Sequence, residues 1–133
     1  VFFRRDLAED FPYIRKQSLQ LASKMRFISA QFDALLRGGL WKQNAAHANT
    51  MARLLAEAVS VLPEVRITQK VESNVVFACL PREVIPALQA EFPFYVWNEE
   101  TAEVRWMTTF DTTKADVRAF AGCLKNILSR QTS

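Results

Sequence analysis

The sequence is poor in the residues from which phosphate loops and metal sites are built. Its 133 residues include only three glycines, Gly38, Gly39 and Gly122, so no glycine-rich nucleotide-binding or dinucleotide-binding loop is present. A single histidine, His47, without Cys-x-x-Cys or His-x-x-x-His spacing leaves a metal ion without a set of ligands. These shortages exclude the common nucleotide-binding loops and zinc motifs as the basis of function.

Long apolar runs and clusters of one charge are also missing. No apolar run reaches the roughly 18 residues that suit a membrane span, and Val1-Phe2-Phe3 is followed at once by charged residues, unlike a signal peptide. The formal charge of +3 arises from basic and acidic residues that alternate along the chain, so neither a nucleic-acid nor a membrane partner is expected. The chain is therefore expected to be cytoplasmic.

What is present is typical of a globular protein. Hydrophobic residues make up 50% of the chain and charged residues 23%, enough to bury a core within one domain, residues 1–133. The two cysteines, Cys79 and Cys123, lie far apart within apolar runs. That placement favours two reduced core thiols over a disulfide.

The most informative stretch is residues 19–36, where apolar residues recur at alternating steps of four and three. Most other positions there are apolar too, so this helix is expected to be buried in the core or against another chain. Lys24 and Arg26 lie near its start, and buried cations require an anionic partner. Arg26 is thus a candidate for a structural ion pair or for a ligand phosphate. The stripe consists of Leu21, Met25, Ile28, Phe32 and Leu35.

Two further helices flank this one. A first helix is predicted over residues 6–19, with Asp6 as its cap. Gly38 and Gly39 end the second helix, and a third is predicted over residues 40–62. Small residues along the third helix permit close approach, so helices two and three are predicted to pack as a hairpin.

The hydrophobic period changes after residue 63. The alternating and continuous apolar runs that follow predict the order β-β-α-β-β-α, two hairpins joined by a helix and closed by a last helix capped by Thr112 or Thr113. We therefore predict an α+β fold, a helical segment over residues 1–62 followed by a small, mostly antiparallel sheet covered by helices over residues 63–133. The strands are predicted at residues 65–68, 74–80, 94–97 and 103–108, and the helix between the hairpins at residues 81–91.

No complete catalytic constellation is visible in the sequence. A Gly-x-Ser-x-Gly motif and paired carboxylates are absent, and His47 is expected to be a hydrogen-bonded packing residue on the third helix. None of the lysines lies in the apolar setting that lowers a lysine pKa for covalent chemistry, with Lys24 the one arguable exception.

Arg105 is the stronger candidate for binding. Strand alternation places Val104 and Trp106 on one face, and Arg105 with Met107 on the other. Such an arginine is either a charge at a strand edge or a bidentate fork for a carboxylate or phosphate.

Four segments carry a resemblance to one enzyme family: LAEDFPYIRKQSLQLASKMRFISAQFDALL, LWKQNAAHAN, ESNVVFACLP and VRWMTTFDTT. In this order they resemble the C-terminal part of bacterial low-specificity threonine aldolases, fold-type-I enzymes of the aldolase and β-eliminating lyase group. The resemblance covers essentially the whole chain. It implies the small C-terminal domain of a lyase that cleaves β-hydroxy-α-amino acids, L-threonine or allo-threonine, to glycine and acetaldehyde, with pyridoxal 5'-phosphate as cofactor.

The resemblance also implies roles for three basic residues. Arg105 corresponds to the arginine that clamps the α-carboxylate of the amino acid substrate. Arg26 corresponds to the one that reaches the cofactor phosphate, often across a subunit boundary, and Lys16 resembles a basic residue near the active site. No catalytic residue is implied within the chain, because the Schiff-base lysine of the family lies upstream of a strand that Val1-Phe2-Phe3 resembles.

The chain also departs from the family pattern. Many relatives carry Gly-Gly-Gly-Met-Arg-Gln where this sequence has residues 22–27, and many have a histidine at Thr109. The large domain that holds the pyridine ring is missing, so these 133 residues are expected to be inactive alone and to be part of a larger homo-oligomeric enzyme, a dimer or tetramer. The alternative hypothesis is a non-catalytic α+β module that binds a partner or dimerises.

Overall fold

The protein is described by a computed structural model that covers residues 4–18 and 24–131. Two compact units can be distinguished, Val1–Leu40 and Trp41–Ser133. The prediction of one domain with a division near residue 62 stays a prediction, as does the hairpin between the second and third helices. The predicted strand end at residues 1–3 lies outside the described residues.

The first unit is helical. A short 3₁₀ turn, Asp6–Ala8, precedes α1, which spans Phe11–Ser18, and α2 spans Met25–Leu36. Gly38 and Gly39 follow α2 with φ of 70° and 76°, a backbone region that glycine enters without steric cost. The predicted end of the second helix at these glycines is confirmed.

The predicted cap of the first helix is wrong. Asp6 opens the 3₁₀ turn, and its carboxylate pairs with Arg4. The helix itself begins after Asp10, whose carbonyl accepts a hydrogen bond from the N–H of Ile14. Because proline has no N–H to donate, it fits best in a first turn, and this start places Pro12 there.

The helix α2 contains no buried residue. We call Met25, Ile28, Phe32 and Leu35 the apolar face of α2; these side chains are 39–61% exposed. The expectation that this helix is buried in the core of its own chain is therefore not met. Burial against another chain stays a prediction, and Leu21 lies outside the described residues.

The helix α3, which spans Leu40–Ser60, leads into the second unit. The order that follows is β-β-α-β-β-α, and every strand pair is antiparallel, in the order β1-β2-β4-β3. The predicted α+β class with a small antiparallel sheet is confirmed. The elements are β1 (Arg66–Ile67), β2 (Val75–Cys79), α4 (Ile85–Glu91), β3 (Tyr95–Asn98), β4 (Glu103–Met107) and α5 (Lys114–Gln131).

The core of this unit lies between one face of the sheet and the helices. Val76 and Ala78 of β2 and Val104 and Trp106 of β4 are buried, as alternation along each strand requires. Each fully buried aliphatic side chain contributes about 1.5–3 kcal/mol of hydrophobic stabilisation. The helices supply the other half of this core, including Leu55, Val59, Leu88, Val117, Phe120 and Leu124.

The opposite face of the sheet is the open face. Its side chains range from half-buried to exposed, so they are not part of the core. Its members are Arg66, Val75, Phe77, Cys79, Tyr95, Trp97, Glu103, Arg105 and Met107. The thiols of Cys79, on this face, and Cys123, on α5, are both free and half-buried.

The last helix is fixed at its start by a reciprocal pair of hydrogen bonds. Thr113 Oγ1 accepts from the N–H of Asp116 at 3.1 Å, and Asp116 Oδ2 accepts from the N–H of Thr113 at 2.8 Å. This capping box identifies Thr113 as the helix cap. Among the helices of the described residues, none is long and apolar enough to cross a lipid bilayer.

Candidate functional site

Arg105 lies in the middle of β4, on the open face. Its neighbours across the strands are Phe77 of β2 and Tyr95 of β3. Val104 and Trp106, on either side of it in sequence, are buried in the core. The predicted separation of these residues onto two faces is confirmed.

Two aromatic rings lie beside the guanidinium group of Arg105. Its Cζ atom lies 5.3 Å from the ring centroid of Trp97 and 5.9 Å from that of Tyr95. Trp97 in turn contacts Phe77 edge to face, with 5.4 Å between ring centroids. The Nε atom of Arg105 is buried and has no hydrogen-bond partner.

The charge of Arg105 is not neutralised by any carboxylate of the residues that the structure describes. Glu103, the acid on the same face of the same strand, instead accepts a hydrogen bond from the hydroxyl of Thr68. Because a half-buried charge without a counterion is costly, this position suits an external anion. A guanidinium binds carboxylates and phosphates through parallel N–H···O bonds, so both are possible ligands.

A surface cleft adjoins this guanidinium. Its volume is about 370 Å³, and it is lined by Pro93, Phe94, Tyr95, Arg105 and Met107. That volume is in the range of sites that bind small molecules. An amino acid or a similarly small anion would fit it.

Arg26 lies in the first turn of α2 and is exposed. Its Cζ atom is 5.0 Å from the ring centroid of Phe27, and none of the described carboxylates pairs with it. Lys24, at the N-cap position, makes no capping hydrogen bond through its side chain. Since the N-terminal end of a helix carries a partial positive charge, an anion beside Arg26 would be favoured there.

Lys16 lies in the last turn of α1 and is exposed. A cation in this position is favoured by the partial negative charge at the C-terminal end of the helix, which gives Lys16 a local structural role. Lys16 and Arg26 belong to the first unit, and Arg105 belongs to the second. That the three residues meet at one site stays a prediction.

His47 is hydrogen-bonded, as predicted, but it is not packed in the core. Its Nε2 atom lies 2.8 Å from the carbonyl oxygen of Thr112, in the loop between β4 and α5, and the side chain is exposed. The same loop begins at Thr108, whose buried hydroxyl donates to the carbonyl of Ala48 at 2.8 Å. These two bonds tie the loop that follows Arg105 to α3. Thr109 is exposed in this loop.

Sequence reasoning did not single out Tyr95 and Trp97. Their spacing by two residues along a strand was the available signal, because it places both side chains on one face. Their proximity to Arg105 depends on the pairing of β3 with β4, which no local pattern specifies.

Comparisons with known proteins agree with this fold. No protein-family model matches the chain. It is 42% identical over 130 residues to the low specificity L-threonine aldolase of Pseudomonas sp., covering 97% of this chain and 37% of that protein. It is 43% identical over 129 residues to the protein of the same name from Pseudomonas aeruginosa, covering 96% of this chain and 37% of that protein.

A solved structure of threonine aldolase from Leishmania major matches the chain with a TM-score of 0.80 and 24% sequence identity. The match covers 93% of this chain and 37% of that one, and it shows a shared fold. The chain thus spans little more than a third of the length of the curated relatives it matches. The resemblance that the sequence segments indicate is confirmed.

Proposed function

From its homology to part of two low-specificity L-threonine aldolases, we propose that this chain is one portion of a fold-type-I, pyridoxal-phosphate-dependent lyase. Its reaction is the cleavage of β-hydroxy-α-amino acids, L-threonine or allo-threonine, to glycine and acetaldehyde. The observation that carries this proposal is the position of Arg105. Its guanidinium lies beside a small cleft, and no carboxylate of the described residues neutralises its charge.

The basic residues of the chain fit an anionic substrate and an anionic cofactor. Arg105 would bind the α-carboxylate of the amino acid, because a planar guanidinium matches a carboxylate with two parallel hydrogen bonds. Arg26 would hold the phosphate of pyridoxal 5'-phosphate at the start of α2, with Lys16 adding positive charge nearby. When bound, this cofactor supplies a ring that stores the electron pair released as the Cα–Cβ bond breaks. The contribution of this chain is to bind and orient.

Substitution of Arg105 in the full-length enzyme tests the carboxylate role. We expect Arg105→Ala to raise KM for L-threonine by about tenfold to a hundredfold, the range for a lost charge-assisted hydrogen-bond pair. Arg105→Lys keeps the charge but not the fork, so it should restore only part of the loss. The absorbance of the bound cofactor should be unchanged in both variants. Loss of cofactor from Arg105→Ala would show that the assigned role is wrong.

Substitution of Arg26 tests the phosphate role separately. We expect Arg26→Ala to weaken cofactor binding by about tenfold, because one charge-assisted contact to the phosphate is lost. Equilibrium dialysis of the cofactor provides the dissociation constant, and Arg37→Ala, an exposed arginine at the other end of α2, is the control. An unchanged dissociation constant in Arg26→Ala would count against this assignment.

The exposed apolar face of α2 supports a homo-oligomer, a dimer or tetramer in which this face is covered by another subunit. It also supports the second candidate function, a non-catalytic module that associates through α2. The coding DNA upstream of Val1 distinguishes the two. An open reading frame with a lysine among small residues supports the enzyme, and a nearby start codon supports the module.

A further inference from the structure

We propose that Trp97 and Tyr95 are positioning residues that hold the guanidinium of Arg105 so that it receives the substrate carboxylate end-on, through Nη1 and Nη2. This inference rests on the proposed function, in which Arg105 binds that carboxylate. It adds two residues to the site and specifies which guanidinium nitrogens face the substrate.

The first observation is a β-bulge at Trp97. Val96 pairs with Val104, and Asn98 pairs with Glu103. Trp97 is therefore an extra residue of β3, since Val104 and Glu103 are adjacent on β4. A bulge of this kind changes the direction of a side chain and is frequent beside functional sites.

The ring of Trp97 crosses the neighbouring strand. Trp97 lies on β3, and its partner Phe77 lies on β2, with β4 between them in the sheet. A contact between these rings therefore passes over β4 at the level of Arg105, the residue paired with Phe77. Tyr95 flanks the same guanidinium from its cross-strand position. The guanidinium of Arg105 is thus contacted by two rings of β3, and one of them packs on Phe77 of β2.

The second observation is the burial of the Nε atom of Arg105. Nε is the one nitrogen of Arg105 that is buried without a hydrogen-bond partner. A carboxylate can approach a guanidinium from the side, through Nε and one Nη atom, or end-on, through both Nη atoms. Burial of Nε closes the first approach and leaves the second. We therefore assign the end-on approach to the carboxylate, with the rings of Trp97 and Tyr95 beside the guanidinium.

Cation–π contacts and ring packing reduce the orientational freedom that Arg105 loses on binding. Without the indole ring, binding should weaken equally in the ground state and the transition state, because the carboxylate does not react. Such a loss raises KM and leaves kcat nearly unchanged. A purely structural role for Trp97, as cover for the sheet, would not act through Arg105 in particular.

The test is a double-mutant cycle in the full-length enzyme, with L-threonine as substrate. We expect Trp97→Leu to raise KM by about threefold to tenfold, with kcat changed by less than about twofold. In the Arg105→Ala background the same change should raise KM by less than about twofold, since the residue through which it acts is absent. Trp97→Phe, which keeps an aromatic ring beside Arg105, should recover part of the loss.

Trp41→Leu is the matched control, because Trp41 on α3 is 51% exposed and Trp97 is 55% exposed. We expect no change in KM for this variant, and circular dichroism verifies that each variant folds. Equal effects of Trp97→Leu with and without Arg105 would overturn the positioning role while leaving the proposed function in place. An unchanged KM in Arg105→Ala itself would overturn the carboxylate role and this inference together.

Discussion

The charge of Arg105 is half-buried, whereas the ion pairs among the described residues lie in solvent. The pairs Arg4–Asp6, Arg37–Asp33 and Lys70–Glu72 consist of side chains that are at least 53% exposed. Exposed pairs of this kind contribute little to stability, because water and salt screen them. Arg105 is half-buried and has no such partner among the described residues, which is the reason why we propose a ligand for it.

The carboxyl of Asp116 leads to a prediction about how the stability of the fold depends on pH. The hydrogen bonds from the Thr113 hydroxyl and then from the Thr113 N–H hold the pKa of Asp116 below its ordinary value. A carboxyl whose pKa is lower in the folded state stabilises the fold at pH values above its unfolded pKa, about 3.9. That contribution disappears as the pH falls through the folded pKa.

We therefore expect the free energy of unfolding of the parent chain to exceed that of Asp116→Asn most at pH 5–7. The difference should shrink as the pH falls below about 4, where the carboxyl of the unfolded chain becomes protonated. Urea titrations at several pH values measure this difference in the free energy of unfolding. Glu99→Gln, in an exposed turn, is the control. A difference that does not depend on pH would contradict the linkage.

At the scale of elements, the strands were predicted more accurately than the helices. The four predicted strands overlap the four observed ones, because alternating and continuous apolar runs both reflect the burial of a strand. The first helix begins later than predicted, because Pro12 determines where its first turn can lie. The second was predicted over residues 19–36, and the described part of it is Met25–Leu36.

The apolar face of α2 leads to a prediction about association. We expect Phe32→Glu to weaken self-association of the full-length enzyme by about tenfold or more, since a charge would be placed in a buried interface. Phe32 is 61% exposed in this chain, so its replacement should leave the thermal stability of the chain nearly unchanged. Analytical ultracentrifugation measures the dissociation constant.

Gln31→Glu is the matched control for this experiment, because it adds the same charge at the adjacent position, off the apolar face. It should leave self-association unchanged. If both variants associate as the parent does, the apolar face of α2 is not a subunit contact.

At the scale of the whole molecule, the chain has a fold in common with threonine aldolases but only part of their length. We expect the 133-residue polypeptide alone to release no acetaldehyde from L-threonine in the presence of pyridoxal 5'-phosphate. Covalent chemistry of this type uses a lysine whose pKa is lowered by apolar surroundings. All the lysines of the chain lie in the described residues and are exposed: Lys16, Lys24, Lys42, Lys70, Lys114 and Lys125.

A coupled alcohol dehydrogenase assay measures acetaldehyde directly. The full-length relative from Pseudomonas aeruginosa serves as the positive control. Steady formation of glycine and acetaldehyde by the 133-residue chain, at a rate well above that of the cofactor in buffer, would refute the expectation. It would also require a catalytic lysine among the six that are exposed.

The sequence by itself determined the fold class, the order of the helices and strands along the chain, and the face of the strand on which Arg105 lies. These features follow from periods of two and 3.6 residues, which express burial within a single element. Only the tertiary structure decided what surrounds Arg105. Phe77 comes from β2, whereas Tyr95 and Trp97 come from β3, and the pairing of both strands with β4 brings them together. The register shift between Val96 and Asn98 is part of the same pairing, and no local pattern of apolar residues contains that information.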